Sequence, residues 1–554
     1  MPLSSARHLA LLLAGAALVP QAHAASWAAT ATTGFPVAAL LGAIDLGALP
    51  PSQPLTIRIG LAPQNLAGLR KLLSQQANPQ SPNYRNYLTP TNFALNYGAS
   101  PATISAVTAY LTNAGFTNIA VEPNRLLLSA SASASTVAAA FNTTIEKIGL
   151  GAATGFVNLT PAMVPAKLGG MVTGVLGLNT IGQMQSTLRL PSVPQYAVSY
   201  TPRQFQAIYG ATKSTPTGAH AAIAIMAEGD LTQVVADLRT AEAAFALPQV
   251  PVEIVPVGLP STDTSGIDEW DLDTQYSTGI AQTVQQLYIY DTTSLTDSDL
   301  ALEFSRFASD DLAKAGSASL GECEIFPYLD GSMAVDDMTF LEAAVQGQTF
   351  FASAGDTGSF CPVGPAGVNG VPIGAPLVNY PAASPYVVAV GGTSLLTHPN
   401  GSYDYEIAWY AGGGGVSQFE SSPAWQSTKV TLLGLTADRG VPDIAMDADP
   451  ESGATVYVDG KPEGVGGTSL SSPLSLGSWA RVAAANPAIG NAGAQLYSLY
   501  KPTLLGGLLG NDYPHGGFHD ITLGVNGLYP ATPGYDLTTG LGTLVIRQLV
   551  KDLK

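Results

Sequence analysis

The octapeptide Gly466-Gly467-Thr468-Ser469-Leu470-Ser471-Ser472-Pro473 sets one serine at a glycine-built turn directly before a helix-compatible stretch, Leu474–Ala484. Glycine lets the backbone bend and a ligand come close, and the helix start offers unpaired N–H groups and a dipole that favours developing negative charge. Ser469 is therefore the candidate nucleophile. Outward from this turn, the apolar strand candidates Ala222–Ala227, Val252–Val257, Gln286–Tyr290, Ser317–Leu320, Thr349–Ala354 and Val387–Val390 alternate with helix-length segments. That alternation predicts an α/β fold, a parallel sheet with helices on both faces. Ligands gather at the C-terminal ends of such strands, where Gly321 and Asp356 fall. Gly-Gly-Thr-Ser-Leu also occurs at Gly391–Leu395, between the apolar run Val387–Val390 and the turn-like His398-Pro399-Asn400-Gly401. Ser394 in that copy is read as structural.

A hydroxyl needs a base, usually histidine. The six histidines are His8, His23, His220, His398, His515 and His519, and none sits in the His-Gly-Thr-His setting that a subtilisin-type site requires. The alternative lies in Asp268-Glu269-Trp270-Asp271-Leu272-Asp273-Thr274-Gln275, where Glu269 and Asp273 share a face if the segment is helical. Two like charges resist joint ionisation, so such a pair holds a shared proton and works as a base at mildly acidic pH. An isolated acidic pair is most often a solvated helix face, and Gly-Asp-x-Gly is most often a turn. Their occurrence together with Ser469 in one chain favours chemistry.

Glu269-xxx-Asp273, Ser353-Ala354-Gly355-Asp356-Thr357-Gly358 and Gly467-Thr468-Ser469 together resemble the sedolisins, the serine-carboxyl peptidases that include kumamolisin. The resemblance implies Ser469 as nucleophile, Glu269 as general base and acid, Asp273 as the carboxyl that orients and tunes Glu269, and Asp356 as the oxyanion partner. An aspartate can stabilise an oxyanion only when it is protonated and donates its O–H, which demands low pH or a pKa raised by burial. Ser317-Ala318-Ser319-Leu320-Gly321 matches the family's edge strand, implying Ser319, Leu320 and Gly321 as substrate contacts by strand addition; its bland reading is a buried strand. Gly412–Ser417 and Arg439–Asp443 are further family-like stretches without a catalytic assignment. Near the C-terminus, Asp520-Ile521-Thr522 and Thr532-Pro533-Gly534-Tyr535-Asp536 match the family's metal loops. They imply one structural Ca2+, held by the Asp520 and Asp536 carboxylates and the main-chain oxygens of Ile521, Thr532 and Gly534. Calcium, which takes about six to eight oxygen ligands, suits this set better than zinc.

Among 554 residues only 11% are charged, and 22 Lys plus Arg against 40 Asp plus Glu give a net charge of −18. That balance opposes a nucleic-acid partner, which needs a basic face. Arg7 and His8 precede the apolar run Leu9–Val19, and Ala22-His23-Ala24 has the small-x-small pattern of a signal-peptidase site. Residues 1–24 therefore read as a signal peptide, and no later stretch is apolar and long enough for a membrane anchor, so the expectation is a secreted protein. Cys323 and Cys361 form either one disulfide or two separate thiols.

Residues 25–150 read as a separate α+β unit. Leu55, Ile57, Ile59 and Leu61 alternate as in a strand, Leu66, Leu69, Leu72 and Leu73 fall at helical spacing, and Ile104, Val107 and Leu111 mark a second helix. Ile119–Val121, Leu126–Leu128 and Thr144–Ile148 are further strand candidates around the short helix Ser135–Phe141, which predicts a ferredoxin-like split βαβ sandwich. Pro82–Thr89 and Ala114-Gly115-Phe116 resemble the sedolisin activation propeptide. Residues 151–199, rich in Gly, Pro, Ser and Thr, read as a linker containing the maturation site, and 200–554 as the catalytic domain, opening at Tyr200-Thr201-Pro202. The expectation is a secreted, acid-acting serine-carboxyl endopeptidase that cuts proteins or peptides and is made as a self-processing proenzyme, with its own propeptide as intramolecular inhibitor. The rival is a catalytically silent exported binding protein that keeps the fold.

Overall fold

The computed structural model describes residues 26–35, 42–150, 153–194, 197–211, 213–366, 372–430, 437–500 and 516–553. The expected signal peptide lies outside the described residues. The C-terminal part is built on a ten-stranded sheet. Its strands run in the spatial order Val252–Pro256, Val284–Thr292, Gly218–Glu228, Ala315–Ala318, Thr349–Ser353, Val388–Thr397, Ile444–Asp447 and Thr543–Leu544, each parallel to the next. Phe518–His519 and Tyr403–Ala408 join it antiparallel. The central strands are continuous apolar runs such as Ile223-Ala224-Ile225-Met226-Ala227, all fully buried, as expected of strands covered on both faces.

The small residues of Ala315–Ala318 bring a helix close on each face. A Cβ on Gly316 would press 2.8 Å against the Phe307 ring of helix Asp297–Asp310, while Ser317, pointing the other way, bonds Ser472 of helix Thr468–Ala485 at 2.7 Å. Helix Thr468–Ala485 packs in turn on helix Ile267–Ala281. The expected helix at Leu474 thus begins six residues earlier, at Thr468, and carries Ser469 in its first turn. Pro473 inside the helix has no N–H to give the Ser469 carbonyl. The Ser319 hydroxyl lies 3.3 Å from that oxygen, its proton shared with a closer carboxyl acceptor at Asp273.

The N-terminal part carries a four-stranded antiparallel sheet in the order Thr117–Val121, Leu127–Ser133, Pro54–Leu61, Val172–Leu176. Helices Pro101–Ala114 and Ala134–Ala140 share one apolar core with it, including Ile57, Ile59, Val107, Leu111 and Val137. This is the expected ferredoxin-like arrangement, with one correction. Part of the segment 151–199, expected to be linker, is ordered strand. Ala153–Asn158 pairs with Ile145–Leu150, and Val172–Leu176 completes the main sheet beside Pro54–Leu61. The Gly and Thr content of these strands hid short apolar sets such as Val172, Val175 and Leu176, all buried.

The two parts meet through specific polar contacts. Arg58 pairs with Asp299 at 3.0 Å and donates to the Ser298 carbonyl at 2.8 Å, and Asn124 donates to Glu342 at 2.7 Å. Gln76 donates to the Val345 carbonyl at 2.9 Å. Among the described residues no helix is long and apolar enough to cross a membrane.

Candidate active site

Ser469 Oγ donates to Glu269 Oε2 at 2.8 Å across 200 residues of sequence. Helix Ile267–Ala281 places Glu269 in its first turn, where the helix dipole tolerates an acid, and Asp273 one turn on, on the same face. Asp273 Oδ1 accepts from Ser319 Oγ at 2.5 Å, so Ser319 links Asp273 to the Ser469 carbonyl. Asp356 stands on the far side of Ser469's turn. Its Oδ1 accepts from both the N–H and the hydroxyl of Thr468, at 2.8 and 2.7 Å. Gly467 takes φ +100°, and a Cβ there would collide with the Thr187 carbonyl oxygen and stand 2.7 Å from Asp356 Oδ2. Only glycine fits.

All four groups are buried: Ser469 and Asp273 are 0% exposed, Glu269 2% and Asp356 7%. Burial is the main cause that lifts the Glu269 carboxyl well above its ordinary range, with the Asp356 charge adding to it; hydrogen bonds from Ser186 and Ser469 pull it back. Asp273 is raised by burial first and by the Glu269 charge second. Like-charge repulsion, expected to be the leading effect, is therefore secondary to desolvation. Asp356 is pushed up to about 7 by burial, against the Thr468 hydrogen bonds and the Arg189 charge. Each acid is thus able to carry a proton at a pH where an exposed carboxyl would not.

None of Ser469's hydrogen-bond partners is a histidine. His519 instead stacks on Tyr403, ring centroids 3.9 Å apart, and burial lowers its pKa to about 4.

The segment Ser317–Gly321, expected to be a single edge strand, is split at Ser319. Ala315–Ala318 lies inside the ten-stranded sheet, whereas Leu320–Cys323 leaves it and pairs antiparallel with Gln185–Ser186 of the linker. Ser186 Oγ hydrogen-bonds Glu269 Oε2, Thr187 Oγ1 lies 2.7 Å from Ser469 Oγ, and Arg189 Nε lies 3.4 Å from Asp356 Oδ2. These linker residues were not singled out from the sequence. One signal was there: Lys167 and Arg189 are the only charged residues between 151 and 199. Cys323 and Cys361 are joined as a disulfide, Cα atoms 5.4 Å apart, tying the end of strand Leu320–Cys323 to the chain just beyond Asp356.

At the C-terminal loops, Asp520 accepts from the Gly534 N–H through both oxygens at 3.1 Å. Asp536 accepts from the N–H groups of Thr532, Thr538 and Thr539, each within 2.9 Å. The two carboxylates thus grip one loop, 532–536, and burial pushes both up to about 6. An all-oxygen set with one buried and one half-buried carboxyl fits a hard divalent cation, which would offset their charge.

Residues 41–181 match the family model described as the activation domain of pro-kumamolisin. Sedolisin from Pseudomonas sp. (strain 101) is 35% identical over 94% of this chain and 92% of its own length, and xanthomonalisin from Xanthomonas sp. (strain T-22) is 34% identical over 91% and 66%. A solved structure of the Pseudomonas sedolisin, a serine-carboxyl proteinase complexed with two molecules of pseudo-iodotyrostatin, superposes with a TM-score of 0.57 at 35% identity, covering 64% of this chain and 98% of that one. With a relative of that identity matched nearly end to end and an activation domain at its N-terminal side, the chain belongs to the sedolisin family and is a serine-type endopeptidase made as a zymogen.

Proposed function

We propose that the protein is an exported, acid-acting endopeptidase that processes itself and hydrolyses peptide bonds through an acyl-enzyme on a Ser469-Glu269-Asp273 triad. The observation that carries this reading is the 2.8 Å contact between Ser469 Oγ and the buried Glu269 carboxyl. Ser469 Oγ attacks the carbonyl carbon and passes its proton to Glu269. Asp273, held by Ser319, fixes Glu269 and adjusts its proton affinity. Asp356, protonated, donates its O–H to the oxyanion over Gly467. Glu269 then gives the proton to the leaving amine, and a water deprotonated by Glu269 hydrolyses the ester. Because Asp356 must carry its proton, activity falls as pH rises through about 7, and Glu269 acts as base in the form of the pair in which Asp273 holds the proton.

Substrate backbone docks by strand addition on Leu320 and Gly321, while Ser319 serves both the cleft edge and Asp273. The N-terminal domain is the intramolecular inhibitor, through its interface contacts and the linker it sends into the cleft. Asp520 and Asp536, with the main-chain oxygens of Ile521, Thr532 and Gly534, would hold one structural Ca2+, whose chemistry is charge compensation that fixes the loop. The apolar run Leu9–Val19 followed by Ala22-His23-Ala24, and the Cys323–Cys361 disulfide, support export to an oxidising compartment.

The test is digestion of an unfolded protein substrate from about pH 3 to about pH 8 by the acid-incubated chain beside Ser469→Ala and Glu269→Gln. Activity confined to acid and lost in both variants is expected. Activity retained by Glu269→Gln, or greatest at neutral pH, would overturn the reading.

A further inference from the structure

The linker crosses the cleft in the register of a bound substrate. On one side of Ser469, Gln185 and Ser186 pair antiparallel with Gly321 and Leu320, and the Thr187 N–H donates to the Ser319 carbonyl at 3.3 Å. On the other side, Arg189 exchanges both backbone hydrogen bonds with Gly466, at 3.0 and 2.7 Å. Between Ser186 and Arg189 the chain therefore changes from one wall of the cleft to the other. Ser469 stands at that changeover. The Thr187 carbonyl oxygen lies over Gly467, in the corner that Asp356 Oδ2 also faces. The carbonyl at the oxyanion corner is thus that of Thr187, the residue whose hydroxyl meets Ser469 Oγ.

We propose that the first self-cleavage of this chain breaks the Thr187–Leu188 bond, so that the linker is the enzyme's first substrate and the processed chain begins at Leu188. The proposal rests on the serine-carboxyl reading above. Ser469 Oγ bonds to the Thr187 carbonyl carbon and its proton goes to Glu269. The bond from that carbon to the Leu188 nitrogen breaks, and the nitrogen takes the proton from Glu269. Water then adds to the Thr187 ester, giving its proton through Glu269 to Ser469 and leaving a carboxyl group on Thr187. In the uncut state the hydroxyls of Thr187 and Ser186 engage Ser469 and Glu269, so the bond is seated while the catalytic pair is occupied. Those hydroxyls must swing aside before attack.

The experiment follows the full chain after a shift to acid, by intact mass and N-terminal sequencing at successive times. The expected earliest products are a fragment ending at Thr187 and its complement beginning at Leu188, neither formed by Ser469→Ala. Leu188→Pro, which lacks the N–H at the leaving nitrogen, should delay the first cut at least about tenfold. A synthetic peptide spanning Gly182–Pro194, given to the matured wild type, should be cut at the same bond, which keeps the assignment testable if the proline variant misfolds. An earliest terminus at any other bond, with external protein still digested in acid, would overturn this assignment and leave the serine-carboxyl reading standing. Absence of both self-cleavage and digestion in the wild type would overturn both.

Discussion

Arg189 holds its Nε 3.4 Å from Asp356 Oδ2, a linker cation set against a buried acid of the active site. The charged groups facing Asp356 are Arg189, which lowers its pKa, and Glu269, with which it repels. Arg189 therefore favours the ionised form, which cannot donate to an oxyanion. Arg189→Gln removes that bias, so Asp356 takes its proton at a higher pH. The onset of self-cleavage should move up by roughly half to one pH unit, and Arg189→Lys should move it less. Onset measured by gel across a pH series checks this. An unchanged or lowered onset would mean that Asp356 protonation does not set the threshold.

Glu269→Gln keeps the shape of the base but cannot accept the Ser469 proton. A fall in kcat of roughly a thousandfold or more is expected, with the zymogen persisting uncut in acid. Trans-cleavage by a trace of wild-type enzyme separates loss of chemistry from misfolding: a folded variant is trimmed, yet stays inactive on a chromogenic peptide.

Ser319→Ala removes the hydroxyl that bonds Asp273 at 2.5 Å and lies 3.3 Å from the Ser469 carbonyl. The backbone carbonyl of residue 319, which receives the Thr187 N–H, is untouched. The fall should therefore appear in kcat, by about tenfold, with KM nearly unchanged. The Ser319 bond lowers the Asp273 pKa, so the limb of the pH profile that reports the acid pair should move upward. A change confined to KM would reassign Ser319 to substrate docking alone.

Asp297, Glu322, Asp330 and Asp336 crowd together in the catalytic domain, each fully buried by its surroundings and raised in pKa mainly by burial and in part by one another's charge. Raised acids bind more protons folded than unfolded. Their stabilisation is complete below the ordinary carboxylate range, about pH 4, and is lost as pH rises through the folded values, about 8 for Glu322. Calorimetry on the uncut Ser469→Ala chain should show a Tm at least about 5 °C higher near pH 4 than near pH 8. Asp336→Asn combined with Asp297→Asn should narrow that gap. A Tm that climbs towards neutral pH would contradict the ledger of buried acids.

Removing Ca2+ with a chelator should lower Tm by several degrees, and Ca2+ should restore it while Mg2+, which prefers a smaller octahedral site, does not. Asp536→Asn should abolish the Ca2+-dependent increment. Titration calorimetry that detects no Ca2+ binding at millimolar concentration would remove the metal from the picture.

Much of the fold was legible because its strands are apolar on both faces. Ile223–Ala227 and Val387–Val390 need no periodicity to stand out, since burial on both sides leaves an unbroken run. Ser317–Gly321 was misjudged for the opposite reason: Ala, Gly and Ser carry no hydrophobic period, so the break at Ser319 left no trace. Val172–Leu176 was lost among glycines for the same cause. At the site, residue types and spacing singled out Ser469, Glu269 and Asp273, the family resemblance added Asp356, and the fold brings the four together. Ser186, Thr187 and Arg189 acquire meaning only through contacts with residues 83, 282 and 167 positions distant. No local pattern encodes such a crossing.

The linker has a kinetic consequence as well. Because it pairs with Gly321 on one wall and Gly466 on the other while still covalently attached, it competes for the cleft at an effective concentration that a dilute external peptide cannot match. Order of events is then imposed by connectivity rather than by affinity. Under the proposed cut, the residues up to Thr187 would become an ordinary ligand that dilutes away with the N-terminal domain, Leu188 and Arg189 would stay on the catalytic chain, and cutting of foreign chains would begin only after the molecule has cut its own.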